Sequence, residues 1–145
     1  MRKIPLQVYH FAGDLRIMAH FLLKMEGFPQ SLFIRAIVDT GSPITLIGPL
    51  DSKRMRISKI QLNKLEGRHK PVNIGGGKIF TKIINKSKIK FGNELEIDMP
   101  VEFPIKDDEN SFQPSLLGID FMLKTKAKLV FNPDKREAYF EIEDN

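Results

Sequence analysis

The chain has 145 residues, of which 41% are apolar and 28% are charged, so it is long enough for one domain with a buried core. It contains no cysteine, which excludes disulfides, thiol nucleophiles, thiolate metal sites and iron–sulfur clusters. The formal net charge of +5 is compatible with nucleic-acid binding. The basic residues are dispersed, however, and some alternate as on the solvated face of a strand, with no zinc-finger, RNP or Walker motif beside them. Nucleic acid is therefore not the expected partner.

Targeting and cofactor signals are also missing. Met1–Gly13 holds no apolar stretch long enough for a signal peptide, and no run in the chain approaches a membrane span. We therefore expect a cytoplasmic protein with no membrane partner. The three histidines lack metal-ligand spacing, and the acidic run Lys106–Asn110 lacks the spacing of a calcium loop. No metal or other cofactor is expected.

The first half of the chain reads as short strands. Leu6–Ala12 and Ser31–Val38 are clear strand candidates. Leu15–Met25 fits either a strand or a helix, and a strand is favoured because the turn at Glu26–Pro29 would join it to Ser31–Val38 as a hairpin. Ile44–Ile47 predicts another strand, closed by the Gly-Pro pair that follows it.

The second half continues in the same way. Ser58 can cap a short helix within Arg56–Leu65, and Ile119–Thr125 predicts a helix of two turns. The frequent turns indicate a single all-β domain over residues 1–145, built like a barrel or a sandwich. The remaining predicted strands are Pro71–Ile74, Lys78–Ile84, Lys88–Phe91, Glu94–Phe103, Ser115–Gly118, Ala127–Phe131 and Glu137–Ile142.

The most informative stretch is Ala36–Thr45, where an apolar run ends in Asp39 and a tight turn follows. An aspartate is rarely buried unless it is partnered. The hydroxyls of Thr40 and Ser42, and the N–H groups around Gly41, are the nearest donors. The sequence therefore predicts a carboxylate held by its own loop.

Three features in order resemble the retropepsin-like aspartic proteases. Asp39–Ser42 is similar to that family's Asp-Thr-Gly-Ser signature, the glycine-rich hairpin Val72–Ile79 to its flap, and Leu116–Gly118 to its two-apolar-residues-then-glycine motif. The resemblance covers about Phe28–Ile142 and leaves residues 1–27 as an N-terminal extension of uncertain packing. It implies an all-β, closed β-barrel fold with one short C-terminal helix and possibly a second.

The resemblance also implies an aspartic endopeptidase. This chemistry needs two carboxylates that share one proton, because like charges about 3 Å apart do not both ionise easily. The chain has one Asp-Thr-Gly triplet, and Asp120 is expected to open the C-terminal helix rather than to supply the second acid. The implied solution is a homodimer in which Asp39 of each copy meets at a two-fold axis and acts on a peptide or unfolded protein.

Roles for the other site residues follow from the resemblance. The Thr40 hydroxyl would reach across the axis, and Gly41 would allow close approach and turn its carbonyl to the substrate. Ser42 could donate a hydrogen bond to Asp39. Candidate pocket walls, each equally plausible as core, are Ile44, Ile47, Ile79 and Leu117. The residues expected to close over an extended peptide are Ile74, Gly75, Gly76, Gly77 and Lys78.

One departure and one alternative complete the expectations. Pro43 and Ile119 stand where viral members usually carry an acid and an arginine, which argues against viral-style subsite preferences but not against catalysis. Ala138–Ile142 is a candidate for the interleaved terminal strands that tie the family's dimer. The alternative function is a dimeric module of the same fold that holds a peptide but turns it over poorly.

Overall fold

The computed structural model of the chain describes residues 1–74, 77–105 and 112–144. These residues form thirteen strands and three short helices, which agrees with the expected all-β class. The strands are β1 (Arg2–Phe11), β2 (Asp14–Met25), β3 (Leu32–Val38), β4 (Glu66–Gly67), β5 (Val72–Ile74), β6 (Gly77–Ile79), β7 (Thr81–Ile84), β8 (Ser87–Phe91), β9 (Leu95–Asp98), β10 (Val101–Pro104), β11 (Leu116–Leu117), β12 (Lys128–Asn132) and β13 (Glu137–Ile142). The helices are α1 (Pro49–Arg54), α2 (Lys59–Asn63) and α3 (Ile119–Thr125).

The main sheet contains most of the strands. Its order is β11-β3-β2-β1-β13-β12, and β8 pairs with β2 and carries β9. Strands β1 and β2 come from the N-terminal residues 1–27, which the three motifs leave unexplained. Both strands send buried side chains, such as Ile4 and Phe21, into the main core. This segment is therefore an integral part of the sheet.

The terminal strand β13 lies inside the sheet, not at its edge. It pairs with β1 from Leu6↔Ala138 to Arg2↔Ile142, and with β12 from Asn132↔Glu137 to Lys128↔Glu141. Both of its hydrogen-bonding edges are filled by strands of its own chain. The expectation that Ala138–Ile142 interleaves with a partner's strands is therefore wrong for this fold.

Three predicted strands are divided or absent in the structure. Lys78–Ile84 divides between β6 and β7, which belong to different sheets. Glu94–Phe103 divides into β9 and β10, because Pro100 has no N–H to donate to a ladder. Ile44–Ile47 forms no strand, since Leu46 alone makes isolated bridges to Glu102 and Leu116. Through these two bridges, the segment connects β10 to β11.

The first two helices follow from their N-terminal residues. Helix α1, which the sequence did not predict, begins at Pro49, where the missing N–H of proline has no intrahelical partner to lose. Helix α2 begins after Ser58, as predicted. The Ser58 hydroxyl accepts from Gln61 N at 3.0 Å, and the Gln61 side chain accepts from Ser58 N at 2.9 Å, which completes a capping box.

The buried side chains form two clusters. In the larger one, Phe21, Phe91, Phe121 and Phe140 stack in sequence with ring centroids 5.5, 5.6 and 5.2 Å apart, and so tie β2, β8, α3 and β13 together. The smaller cluster joins β3, the segment after it, the β5–β6 hairpin and β11. Its buried members are Met18, Ile37, Ile44, Leu46, Val72, Ile79 and Leu116.

Candidate functional site

Asp39 directly follows β3 and lies against the short strand β11. β11 runs parallel to β3, with Leu117 in register with Val38. Asp39 N donates to the Leu117 carbonyl at 3.0 Å, which extends the ladder to the acid itself. The first and third motifs are therefore hydrogen-bonded to each other, although they are far apart in sequence.

The loop after β3 holds the half-buried Asp39 carboxylate. Gly41 N donates to Asp39 Oδ1 at 2.9 Å, and Ser42 N donates to the Asp39 carbonyl at 3.1 Å. A Cβ at Gly41 would lie 3.2 Å from Oδ1, tighter than ordinary van der Waals contact. A side chain at this position would press on the carboxylate, which explains the glycine.

The expected hydrogen bond from Ser42 to Asp39 is not the one observed. The Ser42 hydroxyl is fully buried and donates to the Ile44 carbonyl at 2.7 Å. A buried carbonyl without a donor destabilises the fold, and the nearest hydroxyl supplies one here. Ser42 therefore braces the turn, and Gly41 is the residue that holds the carboxylate. Thr40, by contrast, is exposed on the loop.

Gly118 allows the third motif to reach this loop. A Cβ on Gly118 would lie 2.1 Å from the Ile44 carbonyl oxygen and 2.8 Å from that of Ser42, a severe clash. Immediately after it, Ile119 N donates to the Ser42 carbonyl at 2.8 Å. The two backbones are in direct contact, and only glycine fits between them.

Asp120 ties helix α3 to the same segment. Its Oδ1 accepts from the Thr45 hydroxyl at 2.8 Å, and its Oδ2 accepts from Thr45 N at 2.9 Å. Burial raises the pKa of the Asp120 carboxyl above its ordinary value, while the bonds from Thr45 and Phe121 N favour the ionised form. As expected, Asp120 opens α3, and both of its oxygens are occupied by Thr45.

A second polar network, which the sequence did not predict, adjoins Thr45. Glu102 N donates to the Thr45 carbonyl at 3.0 Å. The buried Glu102 carboxylate accepts from Arg68 Nε at 2.7 Å and from the Thr81 hydroxyl at 2.6 Å. The bond to Glu102 raises the pKa of Arg68. The one signal in the sequence is an acid within the apolar strand β10, but its partners lie on other elements and no local pattern identifies them.

The predicted flap forms an antiparallel pair between β5 and β6. Val72 is in register with Ile79, and Ile74 with Gly77. Val72 and Ile79 are buried in the smaller cluster, which also contains Ile37 and Ile44 on either side of the Asp39 loop. Gly77 and Lys78 are exposed, and Ile74 is half-buried. Gly75 and Gly76 lie outside the described residues.

Asp39 opens onto a pocket of about 340 Å³. Its one basic wall residue is Arg16, which forms an ion pair with Asp14 at 3.3 Å and whose Nε is buried without a hydrogen-bond partner. The walls from β1 and β12 were not predicted from the sequence motifs. The lining residues are Val8, Leu15, Arg16, Ile17, Ile37, Val38, Asp39 and Phe131.

The four candidate pocket walls are core residues. Ile47 and Leu117 belong to the larger cluster, and Ile44 and Ile79 to the smaller one, each no more than 5% exposed.

Within the described ranges, no group of three His, Cys, Asp or Glu side chains is placed to hold a metal ion. Likewise, no helix in the described part of the chain is long and apolar enough to cross a membrane.

The backbone has the fold of the retropepsin-like aspartic proteases. It matches a retropepsin-like aspartic protease from Rickettsia conorii with a TM-score of 0.56 and 15% identity, over 96% of this chain and 98% of that one. It matches EIAV protease, in a complex with the inhibitor HBY-793, with a TM-score of 0.51 and 18% identity, over 85% of this chain and 100% of that one. No protein-family model matches the sequence, and no curated protein matches it. At these identities the likeness establishes the fold.

Proposed function

We propose that this chain is an aspartic endopeptidase that hydrolyses peptide bonds with a water activated by two Asp39 carboxylates, one from each subunit of a homodimer. The observation that carries the proposal is the place of Asp39 in a retropepsin-like fold. It follows β3, is held by Gly41 N and Leu117 O, and opens onto a pocket. The chain has one such loop, so a second copy supplies the second acid.

The chemistry follows from the shared proton of the pair. One Asp39 is ionised and takes a proton from the attacking water, while the other is protonated and donates to the carbonyl oxygen of the scissile bond. The hydrogen bond from Gly41 N to Oδ1 fixes the orientation of the Asp39 carboxylate in each subunit. Rigid backbone contacts around Gly118 keep the two loops in place during the reaction.

The substrate in this proposal is an extended peptide or an unfolded segment of protein. Such a chain would be bound through its main chain, with alternate side chains directed into pockets. Val72 and Ile79 of the β5–β6 hairpin share the smaller cluster with Ile37 and Ile44, which lie on either side of the Asp39 loop in sequence. We assign Ile74, Gly77 and Lys78, with Gly75 and Gly76 between them, to closing over the bound peptide and excluding water.

Asp39→Asn tests the proposal, because an amide cannot exchange the proton that the pair shares. We expect cleavage of an unfolded protein substrate to be lost, with the melting temperature near that of the wild type. Asp98→Asn, at the exposed end of β9, is the matched control and should cleave normally. A statine-type inhibitor of the pepstatin class should block the wild type. Undiminished cleavage by Asp39→Asn would refute the mechanism.

One structural observation favours a second candidate, a dimeric module that holds peptides with little turnover. Strand β13 has both edges filled within its own chain, so the interleaved contact implied by the resemblance is missing. A pair of Asp39 loops that meet less tightly could bind a peptide without hydrolysing it. Peptide binding by both the wild type and Asp39→Asn, with no products from either across a wide pH range, would identify this module.

A further inference from the structure

The buried carboxylate of Glu102 lies beside both ends of the β5–β6 hairpin. Glu102 is 6% exposed, and its Oε1 accepts from Arg68 Nε at 2.7 Å and from the Thr81 hydroxyl at 2.6 Å. Arg68 precedes the first residue of β5, Val72, by four positions. Thr81 follows the last residue of β6, Ile79, by two positions. One oxygen atom therefore holds the chain on both sides of the hairpin.

The small sheet β10-β7-β4 brings these three side chains together. Thr81 opens the central strand β7, Glu102 lies on β10, and Arg68 directly follows β4. Arg68 N donates to the Thr81 carbonyl at 3.1 Å, which extends the pairing of β4 with β7 by one residue. Neighbouring strands place diagonal side chains within reach of each other when one of them is long. The two ends of the hairpin thus lie side by side, next to Glu102.

The main chain of Glu102 is bound to the segment that follows the Asp39 loop. Glu102 N donates to the Thr45 carbonyl at 3.0 Å, and the Glu102 carbonyl accepts from Ile47 N at 2.8 Å. These backbone bonds do not depend on the charge of the side chain. Glu102 therefore joins the hairpin, through its carboxylate, to the segment after Asp39, through its main chain.

We propose that Glu102 is a positioning residue whose carboxylate fixes both ends of the β5–β6 hairpin relative to Asp39. In this way it sets the position from which the hairpin closes over an extended peptide. The proposal rests on the proposed function, because that function assigns the hairpin to covering the substrate. Glu102 acts through Arg68 and Thr81 and does not itself contact the peptide.

The physical reason for a carboxylate at this position is geometric. A buried ion pair adds little net stability compared with well-packed apolar side chains. Hydrogen bonds to an ionised group are, however, shorter and stronger than those between neutral groups, and so they fix relative positions more tightly. A neutral side chain of the same shape should keep the fold of the small sheet but hold the hairpin less firmly.

Glu102→Gln tests this directly, because it removes the charge and nearly preserves the shape. Amide hydrogen exchange, measured without substrate, reports how often the hairpin opens. We expect the amides of β5 and β6 to exchange about five- to tenfold faster than in the wild type, since both bonds lose their charge assistance. The amides of β2, in the main sheet, should exchange as before.

Glu96→Gln is the matched control for the loss of a glutamate. Glu96 forms an exposed ion pair with Lys88 at 2.9 Å and lies on β9, which pairs with β8 in the main sheet. This variant should leave the exchange of β5 and β6 at the wild-type rate. An equal increase in Glu96→Gln would overturn the proposal, because the effect would then not belong to Glu102.

Thr81→Val carries the test further, because it releases one end of the hairpin and leaves Glu102 paired with Arg68. We expect a smaller increase in the exchange of β5 and β6. The increase should nearly vanish when Thr81→Val is made in the Glu102→Gln background, since both changes act through the same oxygen. Should Glu102→Gln fail to fold, unchanged exchange in Thr81→Val would by itself overturn the proposal.

Steady-state cleavage of a peptide supplies a second measurement. Glu102→Gln should raise KM several-fold and change kcat little, because the bonds from Thr45 and Ile47 to the Glu102 main chain remain. A purely structural role predicts a lower melting temperature and less active enzyme, with KM unchanged.

The outcomes separate this proposal from the proposed function. Faster exchange confined to β5 and β6 in Glu102→Gln, with no Asp39-dependent cleavage by the wild type, supports the positioning role and rejects the protease. Asp39-dependent cleavage, with exchange and KM unchanged in Glu102→Gln and Thr81→Val, rejects the positioning role and leaves the protease standing. An equal rise in exchange across β2, β5 and β6 also rejects the positioning role, because the carboxylate would then only stabilise the fold as a whole.

Discussion

At the scale of single residues, the position of Asp39 depends on a glycine that lies far from it in sequence. A methyl group on Gly118 would overlap the carbonyl oxygens of Ile44 and Ser42. We expect Gly118→Ala to destabilise the fold by about 1–3 kcal/mol or more, because both obstacles are backbone atoms that cannot turn aside. The free energy of unfolding in urea is the measurement.

Gly67→Ala provides the matched control for that change. The atoms nearest to a Cβ on Gly67 are 3.7 Å away or more and include the flexible end of Lys82. Its unfolding free energy should stay within about 1 kcal/mol of the wild type, since no backbone atom is overlapped. Equal losses from the two variants would show that the close contact at Gly118 is not what requires glycine there.

A histidine near β1 predicts one source of pH dependence. His20 Nε2 is 2.9 Å from the Tyr9 hydroxyl, and burial, with a smaller contribution from Arg35, lowers the pKa of His20. The folded state therefore binds this proton more weakly than the unfolded state does. His20 thus contributes stability above its ordinary pKa of about 6.5, and that contribution is lost as the pH falls through this value toward the lower folded pKa.

We expect the unfolding free energy of the wild type to fall more between pH 7 and 5 than that of His20→Gln. Glutamine keeps a hydrogen-bonding group beside Tyr9 but does not titrate. Urea denaturation of both proteins at several pH values measures the difference, and His10→Gln, on an exposed position of β1, controls for the loss of a histidine elsewhere. Parallel pH profiles for wild type and His20→Gln would contradict this assignment.

At the scale of elements, the site is a junction of β3, β11 and α3 that Thr45 holds together. The Thr45 hydroxyl donates to Asp120 and accepts from Gly118 N at 3.2 Å. Thr45→Val keeps the shape but leaves the half-buried Asp120 carboxylate and the buried Gly118 N–H each short of one partner. We expect a loss of about 1–3 kcal/mol in unfolding free energy. Peptide cleavage should fall with it, because the segment after the Asp39 loop then keeps only its backbone hydrogen bonds to α3.

Thr125→Val is the control for Thr45→Val, because it removes a threonine hydroxyl that lies outside the junction. The Thr125 hydroxyl donates to the Phe121 carbonyl at 2.9 Å, within α3 and away from the Asp39 loop. Its removal should change cleavage little, and the two variants are compared by turnover at a temperature where both are folded. Similar turnover in Thr45→Val and the wild type would mean that the junction is not required for activity.

The sequence correctly predicted the elements that are determined by neighbouring residues. The helix Ile119–Thr125, the strand Glu137–Ile142 and the cap at Ser58 all appear where the sequence placed them. Each is specified by neighbouring residues, either through period or through a capping side chain. The Asp39 motif was found for the same reason, since its donors lie within the same loop.

The features that the sequence did not predict depend on distant partners. Ser42 was expected to donate a hydrogen bond to Asp39, but its hydroxyl donates to the buried carbonyl of Ile44. The Glu102 carboxylate accepts hydrogen bonds from Arg68 and Thr81, which lie on other parts of the chain. Strand β13 was expected to meet a second chain, but β1 and β12 enclose it. Strand pairing over long separations in sequence leaves no periodic signal, so these contacts required the structure.

At the scale of the whole molecule, the first strand is part of the framework. β1 lies between β2 and β13 and supplies Ile4 and Leu6 to the larger core cluster. Deletion of residues 1–13 would expose an edge on both neighbours together with that core. We expect the shortened chain to lose its cooperative unfolding transition, as followed by circular dichroism and proton NMR.

Asp144→Asn controls for the loss of the contacts made by the N-terminus. Asp144 pairs with the Met1 amino group at 2.7 Å and with Arg2 at 2.9 Å, but all three groups are well exposed. Exposed pairs contribute little, so this variant should unfold almost as the wild type does. A truncated chain that still unfolded cooperatively would show that β1 is dispensable.

The most direct test of the central claim mixes wild-type chains with Asp39→Asn chains and lets subunits exchange. If the active site contains Asp39 from two copies, only wild-type pairs cleave, so activity should follow the square of the wild-type fraction. An equal mixture would then keep about a quarter of the activity of undiluted wild type at the same total protein. A linear decline to about half would contradict the shared site, because each chain would then carry a complete active site of its own.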